Sequence, residues 1–555
     1  MFLCGIIGCI SSNAQNLLVD GLLKMEYRGY DSSGLAYVKD YQITTRKTME
    51  SPKKLLGDSF SIGIGHTRWA THGEVNLINA HPHLSIDNKI AIVHNGIIEN
   101  YQALKKQYLN NIILQSETDT EVIVNLIALF YQQESLLSSI QKTINLLQGS
   151  YAFLILDCEN NIYYAVKNMP LILGKGGGLF VASDVLAFPL SVNEICYLEN
   201  NSYGKITDNY KFKQYKLFES SPTLKENIML DEIKEIPNTI SKISTYFNKE
   251  NVLLEPIFNL YYRSKTIGLI GCGSSYNACL IAKYLIEKHS DKNVFVYNAS
   301  EFLFQKDNNK IDLFFVISQS GETADSLLAI DKIKDHKIVA ITNVVTSTIT
   351  KKVHYVIDMC AYPEIAVAST KAYAATVFIF YSLIGIGNLE SIKQSIYKVL
   401  NLEKEIALLA KKYRDKKYFI FLGKGIDYFI NFENILKIKE VTYSYVDNYL
   451  AGELKHGPLA LCDENTVVFA INSSSVTNYL FRSNISEVKS RKSEVLIFSG
   501  KDNYIESDYY HFFNNDDLTL FECIVFFELF AFYLSIARGI NPDRPKNLAK
   551  SVTVQ

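Results

Sequence analysis

The chain lacks an excess of either charge. Its 56 Lys and Arg stand against 58 Asp and Glu, a net charge of −2. Phosphate backbones and anionic membrane surfaces are held by basic excess. No nucleic acid and no membrane is therefore expected as a partner, and any anionic ligand must be gripped locally by loops and helix ends. The nine cysteines are scattered, without a Cys-x-x-Cys pair, which excludes a disulfide framework and fits a reducing, cytoplasmic setting. No secretion signal is expected, because the start has no basic segment and its apolar run stops at Ser11. Long apolar runs are also missing. Ala372 to Gly387 is short and broken by Thr376 and Ser382, and Cys523 to Ala537 carries Glu528, so both read as buried helices of an α/β core. His81-Pro82-His83 has no evident third ligand; no metal and no cofactor is expected.

What is present is globular: 48% of the 555 residues are hydrophobic and 21% charged, enough chain for three or four domains. Through the first 200 or so residues, short β-branched runs (Ile62 to Gly65, Ile90 to Val93, Tyr151 to Leu156, Leu179 to Ala182) alternate with turns. Helical periodicity marks Ala14 to Met25 and Glu121 to Tyr131, which predicts a layered αββα domain. From about Ser202 to Asn248 the pattern weakens and charge dominates, which reads as a linker. Beyond it the chain repeats itself. The strand Thr266 to Ile270 runs into Gly271-Cys272-Gly273 and a helix; the strand Tyr418 to Leu422 runs into Gly423-Lys424-Gly425 and a helix. Each unit is trailed by further strands, predicting two doubly wound α/β subdomains.

Several residues carry chemistry of interest. Cys4 heads the strand Gly5-Ile6-Ile7-Gly8. It reads either as a buried strand cysteine or as a nucleophile, which must be a thiolate to attack. Asn95-Gly96 is a turn signal, or an oxyanion hole built of a side-chain amide and a close backbone N–H. Lys175-Gly176-Gly177-Gly178 precedes a strand and not a helix, so it reads as a hairpin loop and not a phosphate loop. Ser318-Gln319-Ser320-Gly321-Glu322-Thr323 follows a strand and opens a helix, and Ser274-Ser275 opens another. Hydroxyls and free N–H groups at a helix start suit a phosphate dianion, although Ser and Thr are also ordinary caps. Lys437 and Glu440 share a helix face, and His456 follows in Gly452-Glu453-Leu454-Lys455-His456-Gly457-Pro458. The Lys437/Glu440 pair by itself also reads as a solvated salt bridge.

Read together, these segments resemble the glutamine–fructose-6-phosphate aminotransferase (isomerizing) family. The resemblance rests on CGIIG at Cys4, EYRGYDSSG at Glu26, HTRWATHGE at His66, NAHPH at Asn79, HNGIIEN at His94 and SETDTE at Ser116. It continues with GCGSSYN at Gly271, SQSGETADSL at Ser318, VASTKAY at Val367, KIKEVTY at Lys437, GELKHGPLAL at Gly452 and NLAKSVTVQ at Asn547. It implies a four-layer αββα N-terminal-nucleophile glutaminase domain over 1–225, a linker over 226–248, and sugar-isomerase (SIS) subdomains over 249–395 and 396–555. It also implies a homodimer making glucosamine 6-phosphate from fructose 6-phosphate and glutamine. In that likeness Cys4 is the nucleophile, forming a γ-glutamyl thioester and releasing ammonia, and Asn95 and Gly96 form the oxyanion hole. Arg68 and Asp119 meet the carboxylate and ammonium of glutamine. Thr71, His72 and Gly73 adjoin it, with His81 in support, and Trp69 gates an ammonia passage. Ser274, Ser318, Gln319, Ser320 and Thr323 hold the sugar phosphate, while Ser275, Val367 and Ser369 line the sugar. His456, from the neighbouring subunit, opens the ring; Lys550 forms a Schiff base with the ketone; Glu440 moves the proton from C1 to C2, with Lys437 as its charge partner.

The sequence also departs from the family. It is short around Lys39 to Ser61 and in the linker, where Met229 to Pro237 keeps Glu232-Ile233 but carries Ile236 in place of the family's glutamine. No eukaryotic-type insert is seen, so nucleotide-sugar feedback is not expected. Residues Met1 to Leu3 precede Cys4, whereas the family's cysteine has a free α-amine as its base. Since Leu3 directly precedes Cys4 and some leucine codons initiate translation, a start at position 3 followed by methionine removal would expose it. Other amidotransferases would need a phosphoribosyl or ATP-pyrophosphatase motif, and neither occurs. A non-catalytic sugar-phosphate regulator would need none of Glu440, His456 and Lys550.

Overall fold

The computed structural model describes residues 4–26, 29, 31–69, 73–215, 227–249, 251–306, 310–345, 347–473, 478–500, 508–511, 519–548 and 550. The chain divides into two compact units, with the boundary between Leu224 and Lys225.

The first unit is two antiparallel sheets of eight and five strands. Gly5–Ile10 runs through the interior of the larger sheet, between Leu179–Ala182 and Ile62–Arg68. Its side chains alternate between faces, as a strand requires. Ile6 joins Ile64, Val93 and Leu154 in the layer between the sheets, while Ile7 joins Leu18 and Leu22 of the helix Ala14–Lys24. The smaller sheet is centred on Ile90–Ile98 and Gly149–Asp157. Its outer face carries Ile90, Ile92 and Phe153 against the helices Asp119–Tyr131 and Leu136–Ile144. The layers are therefore α, β, β, α. Asn95-Gly96 is not a turn: the strand runs through both residues, paired with Ala152 and Tyr151. The Lys175 to Gly178 segment joins two antiparallel strands as a hairpin.

The charged stretch read as a linker is ordered differently from that reading. It contains the strand Ser202–Lys205 and the helices Ile228–Lys234 and Ile236–Lys249. Met229, Ile233, Ile236, Ile240, Ile243 and Phe247 recur at helical spacing and are buried in the core of the second unit. The charged residues lie between them, which masked the apolar stripe in the composition.

The second unit holds two five-stranded parallel sheets. In one, the strands Thr266–Gly271, Asn293–Asn298, Leu313–Ile317, Ile338–Thr342 and Tyr355–Asp358 lie in the order second, first, third, fourth, fifth. In the other, Tyr418–Gly423, Tyr445–Leu450, Thr466–Asn472, Glu494–Ser499 and Asp508–His511 repeat that order. This doubly wound topology opens a crevice where the first and third strands end side by side. The helix Thr519–Ala537 is long and apolar enough to cross a membrane, yet 83% of its apolar window is buried inside the fold. It packs against the helices Glu403–Lys412 and Ile426–Thr442.

Candidate active sites

Cys4 lies at the open end of its strand, where the two sheets of the first unit meet. The backbone N–H of Trp69 donates to its Sγ at 3.3 Å, and Asn95 Nδ2, from the other sheet, donates to its carbonyl oxygen at 2.9 Å. Burial pushes the thiol up to about 11, against the pull of the Trp69 N–H and the Arg68 guanidinium. The resting thiol is therefore neutral near pH 7 and needs a base to react. Asn95 Oδ1 is buried with no hydrogen-bond partner among the described residues, so the amide is held by one end only. Gly96 has φ +134°, and a Cβ there would sit 2.2 Å from the Ser150 carbonyl oxygen. Only glycine fits that backbone.

Asp119 begins the helix Asp119–Tyr131, and its Oδ2 accepts the Ile98 N–H at 2.8 Å. Arg68, nearly buried, feels the charges of Cys4, Asp31, Asp119 and Glu117. Arg68 thus lies within electrostatic reach of both the thiol and Asp119. Gly73 (φ +76°) is hemmed by Asn79 Nδ2 and Glu117 Oε2. These two side chains tie the loop down: Asn79 Nδ2 donates to Glu117 Oε2 at 2.9 Å, and the Glu117 N–H donates to Asn79 Oδ1 at 2.9 Å. Thr71 and His72 lie outside the described residues.

His66, His81, His83 and His94 are all buried beneath this site. The His66 and His81 rings stand 4.1 Å apart, and His81 and His83 4.8 Å. Burial lowers His66 to about 3 and keeps His81 and His83 well below the ordinary imidazole range, with mutual repulsion adding to it. His83 meets the Thr118 hydroxyl at 3.1 Å, and His94 meets Thr120 at 2.9 Å. Burial thus keeps His66, His81 and His83 neutral, packed by the start of the helix that carries Asp119.

In the second unit Lys437, 1% exposed, is the hub. Its Nζ lies 2.6 Å from Glu440 Oε2, 3.2 Å from Glu433 Oε1 and 3.3 Å from Ser274 Oγ. Ser274 Oγ and Asn277 Nδ2 both donate to Glu433 at 2.8 Å. The helix Ser274–His289 of the first sheet is thereby bonded to the helix Ile426–Thr442 of the second. Burial pulls the Lys437 ammonium down, but Glu433 and Glu440 outweigh it and hold it above its ordinary range. Burial pushes the Glu440 carboxyl up, against Lys437. Glu440 is the more open carboxylate, 20% exposed against 2% for Glu433, so it is the one free to meet a substrate. The pair read as a solvated salt bridge is in fact a buried cluster.

Lys550 Nζ lies 2.5 Å from Glu364 Oε2, with Ser369 Oγ donating to the same oxygen at 3.4 Å. Lys550 is also within electrostatic reach of Glu440. At the crevice of the first sheet, Ser318 Oγ meets Thr323 Oγ1 at 2.8 Å and accepts the Gly321 N–H at 3.0 Å, while Ser320 Oγ accepts the Glu322 N–H at 3.2 Å. The Gln319 carbonyl is fixed by the Asn343 N–H. The strands ending before Ser274 and Ser318 are hydrogen-bonded neighbours, so both hydroxyl clusters open on one crevice. Ser275 is on the first turn of its helix, and Val367 is buried with its N–H donating to the Asp543 carbonyl. His456 ends the short 3-10 helix Ala451–His456 and is exposed.

Two contributors escaped the sequence reading. Glu433 stands one helical turn before Lys437, so an i, i+4 search would have found it. Glu364 lies in an irregular segment, and only the fold brings it to Lys550.

Known proteins resemble the chain in both units. A family model described as "SIS domain" matches residues 260–385 and 412–509, and one described as "Glutamine amidotransferase domain" matches residues 69–189. The glutamine–fructose-6-phosphate aminotransferase (isomerizing) of Bacillus cereus is 36% identical over 603 aligned residues, covering 100% of each chain. That of Thermotoga maritima is 35% identical over 613, again covering 100% of each. Among solved structures, the C-terminal domain of glucosamine-fructose-6-phosphate aminotransferase from Francisella tularensis matches with a TM-score of 0.53 at 31% identity, covering 58% of this chain and 99% of that one. Tagatose-6-phosphate ketose/aldose isomerase from Escherichia coli matches with a TM-score of 0.52 at 15% identity, covering 57% of this chain and 95% of that one, a likeness of fold alone.

Proposed function

The chain belongs to the glutamine–fructose-6-phosphate aminotransferase (isomerizing) family, and we propose that its Cys4 and Lys550 sites carry the two halves of that family's reaction. The protein is a glutamine-dependent amidotransferase that converts fructose 6-phosphate and glutamine to glucosamine 6-phosphate and glutamate.

Glutamine docks with its α-carboxylate toward Arg68 and its α-ammonium toward Asp119. The Cys4 thiol loses its proton to a base, for which a free α-amine on Cys4 is suited. The thiolate adds to the side-chain amide, and Asn95 Nδ2 with the Gly96 N–H receives the oxyanion. Collapse expels ammonia and leaves a γ-glutamyl thioester, which water hydrolyses. Trp69, whose N–H meets the thiol, gates the departure of ammonia.

Fructose 6-phosphate places its phosphate among Ser274, Ser318, Gln319, Ser320 and Thr323, where hydroxyls and helix-start N–H groups suit a dianion. Ser275, Val367 and Ser369 line the sugar. His456 opens the ring from a second copy of the chain; its exposure on the single chain fits service to a partner and supports a homodimer. Lys550 condenses with the C2 ketone, ammonia displaces it, and Glu440 carries a proton from C1 to C2, converting ketosamine to aldosamine. The reaction belongs in the cytoplasm, where both substrates and reduced cysteines occur.

The observation that carries this reading is the buried cluster of Lys437, Glu440 and Ser274 at the strand ends, with the Lys550–Glu364 pair within electrostatic reach of Glu440. Lys550→Ala is expected to abolish glucosamine 6-phosphate formation while glutamate release from glutamine continues. Retained synthesis would refute the role of Lys550.

A further inference from the structure

The two doubly wound subdomains match in detail at their first strand-to-helix turn. Gly273 and Gly425 each stand at the helix start with ψ −129°, at φ +53° and +58°. A Cβ on Gly271 would meet the Ser275 backbone at 2.8 Å, and one on Gly423 the Asp427 backbone at 2.6 Å. The Ser275 N–H donates to the Cys272 carbonyl at 3.1 Å, and the Asp427 N–H to the Lys424 carbonyl at 3.3 Å. Asp427 is therefore the counterpart of Ser275. Strand register extends the match. Ile270 pairs with Val316, and Leu422 with Ala470, so Gln319 corresponds to Ser473. The stretch Asn472 to Thr477 is richer in hydroxyls than Ser318 to Thr323, so composition alone would mark a second phosphate crevice.

The fold fills that crevice from within. Asp427 Oδ2 accepts the Ser473 N–H at 2.9 Å, and Oδ1 accepts the Ser473 hydroxyl at 2.6 Å. Both residues are buried, Asp427 at 1% exposure. A carboxylate on the first turn of a helix, held by an N–H and a hydroxyl at the neighbouring strand end, takes the bonds that a phosphate would take there. Beside it the buried Ile426 stands where the first subdomain has Ser274. The helix that Asp427 opens, Ile426–Thr442, also carries Glu433, Lys437 and Glu440. Two of its side chains tie it down. Glu433 accepts Ser274 and Asn277 of the first subdomain, and Asp427 holds Ser473, which directly follows the strand Thr466–Asn472 of the second. At 1.5 Å per residue, Asp427 lies roughly 20 Å along the helix from Glu440, well away from the reacting atoms.

We propose that Asp427 is a built-in anion that occupies the second crevice in place of a sugar phosphate and so fixes the helix that presents Lys437 and Glu440. Asp427 is a positioning residue. The duplication thus divides the labour: one crevice stays open to phosphate, and its twin is closed to hold the base in place. The proposal rests on the reading of Glu440 as the isomerase base. Without the carboxylate the helix start loses its hold on the strand end, and a misplacement of about 1 Å at the base costs on the order of a hundredfold in rate. The hydroxyl cluster at Ser318 and Thr323 belongs to the first subdomain and keeps its own bonds. The expected signature is a fall in kcat at nearly constant KM.

The test compares D427A and D427N with the wild type as full-length proteins, using ammonium salt and fructose 6-phosphate, with and without sodium formate. Alanine leaves room for a small carboxylate beside Ser473. Asparagine keeps the shape and an acceptor for the Ser473 N–H but brings no charge. D427A is expected to lose about tenfold to a hundredfold in kcat, with KM for fructose 6-phosphate within about twofold. Formate is expected to restore part of its kcat and of its melting temperature, and to leave the wild type unchanged. D427N, which decides the matter should D427A not fold, is expected to fall between the two without responding to formate. A wild-type kcat in either variant, or a D427A deficit that formate does not relieve, would overturn the proposal. So would a second equivalent of fructose 6-phosphate bound per wild-type chain in equilibrium dialysis. A wild-type chain that makes no glucosamine 6-phosphate from ammonium salt would instead remove the reading of Glu440, while the response of D427A melting to formate would still decide the role of the carboxylate.

Discussion

Replacing Lys437 with methionine probes the isomerase cluster at its hub. Methionine keeps the length and much of the volume of the lysine stem, so the change is chiefly loss of one cation. That cation serves Glu440 at 2.6 Å, Glu433 at 3.2 Å and Ser274 at 3.3 Å, and it is 1% exposed. Breaking a buried pair from one side costs about 3–5 kcal/mol, because the remaining charge has no solvent to fall back on. At about 2–4 °C per kcal/mol, melting of the second unit should fall by roughly 6–20 °C. The molecule can relieve the strain by protonating a carboxylate. In the wild type, burial already pushes Glu440 up and Lys437 holds it down; without the lysine it rises further. A carboxyl with a raised native-state value favours the fold below its ordinary range and loses that contribution as pH rises. The stability deficit of Lys437→Met should therefore be small near pH 4.5 and grow toward pH 8. A neutral Glu440 cannot act as base, so each unit of upward shift removes about tenfold of activity below its new value. The assay is glucosamine 6-phosphate formation from ammonium salt and fructose 6-phosphate over pH 6 to 9, alongside thermal melting at pH 5 and 8. The acid limb should move up by about one unit or more, while glutamate release is untouched. An unmoved acid limb together with a melting deficit independent of pH would refute the reasoning.

Other outcomes follow from the same geometry. Asn95→Ala removes one oxyanion donor and the bond to the Cys4 carbonyl; kcat for glutamine hydrolysis should fall by about 10²–10³, with ammonia-driven synthesis unchanged, as read by glutamate and glucosamine 6-phosphate assays. Glu528 is fully buried, neither carboxyl oxygen has a hydrogen-bond partner among the described residues, and burial raises it well above the carboxylate range. The wild type should thus lose stability as pH rises above the ordinary carboxylate value, and Glu528→Gln should melt about 2–4 °C higher at pH 8 for each kcal/mol relieved, with no gain at pH 4.5. No gain at pH 8, or a loss there, would show the carboxylate to be paired. A chain whose first residue is Cys4 should hydrolyse glutamine, and the same chain with its α-nitrogen acetylated to a non-basic amide should be slower; unchanged turnover would exclude the amine as base.

The sequence made the site residues legible one segment at a time, and left their meeting to the fold. Ser274 and Ser318 lie in segments readable as strand followed by helix, and the 2-1-3-4-5 strand order places both at one crevice. Asn95-Gly96 misleads by itself, because a dipeptide typical of hairpin turns here sits inside the strand Ile90–Ile98. The backbone of Ser150 and Tyr151 on the neighbouring strand is what forbids a side chain at Gly96. The Lys437/Glu440 pair has helical spacing that cannot tell a solvated face from a buried one; burial is set by the helix Ser274–His289, whose Ser274 and Asn277 are bonded to Glu433. Glu364 was invisible as chemistry because it lies in no local pattern with Lys550, and only the fold brings the two together. The helical stripe through Met229 to Phe247 was hidden by the charged residues between its apolar positions.

The central claim is that glutamine nitrogen released at Cys4 becomes the amino group of a sugar made at Lys550. The direct measurement is the isotope content of glucosamine 6-phosphate formed from fructose 6-phosphate and amide-labelled 15N-glutamine in the presence of excess unlabelled ammonium. The account predicts product that carries the glutamine label with little dilution, and loss of labelled product on Cys4→Ala. Product labelled only in proportion to bulk ammonium, or no glucosamine 6-phosphate at all from glutamine, would contradict it.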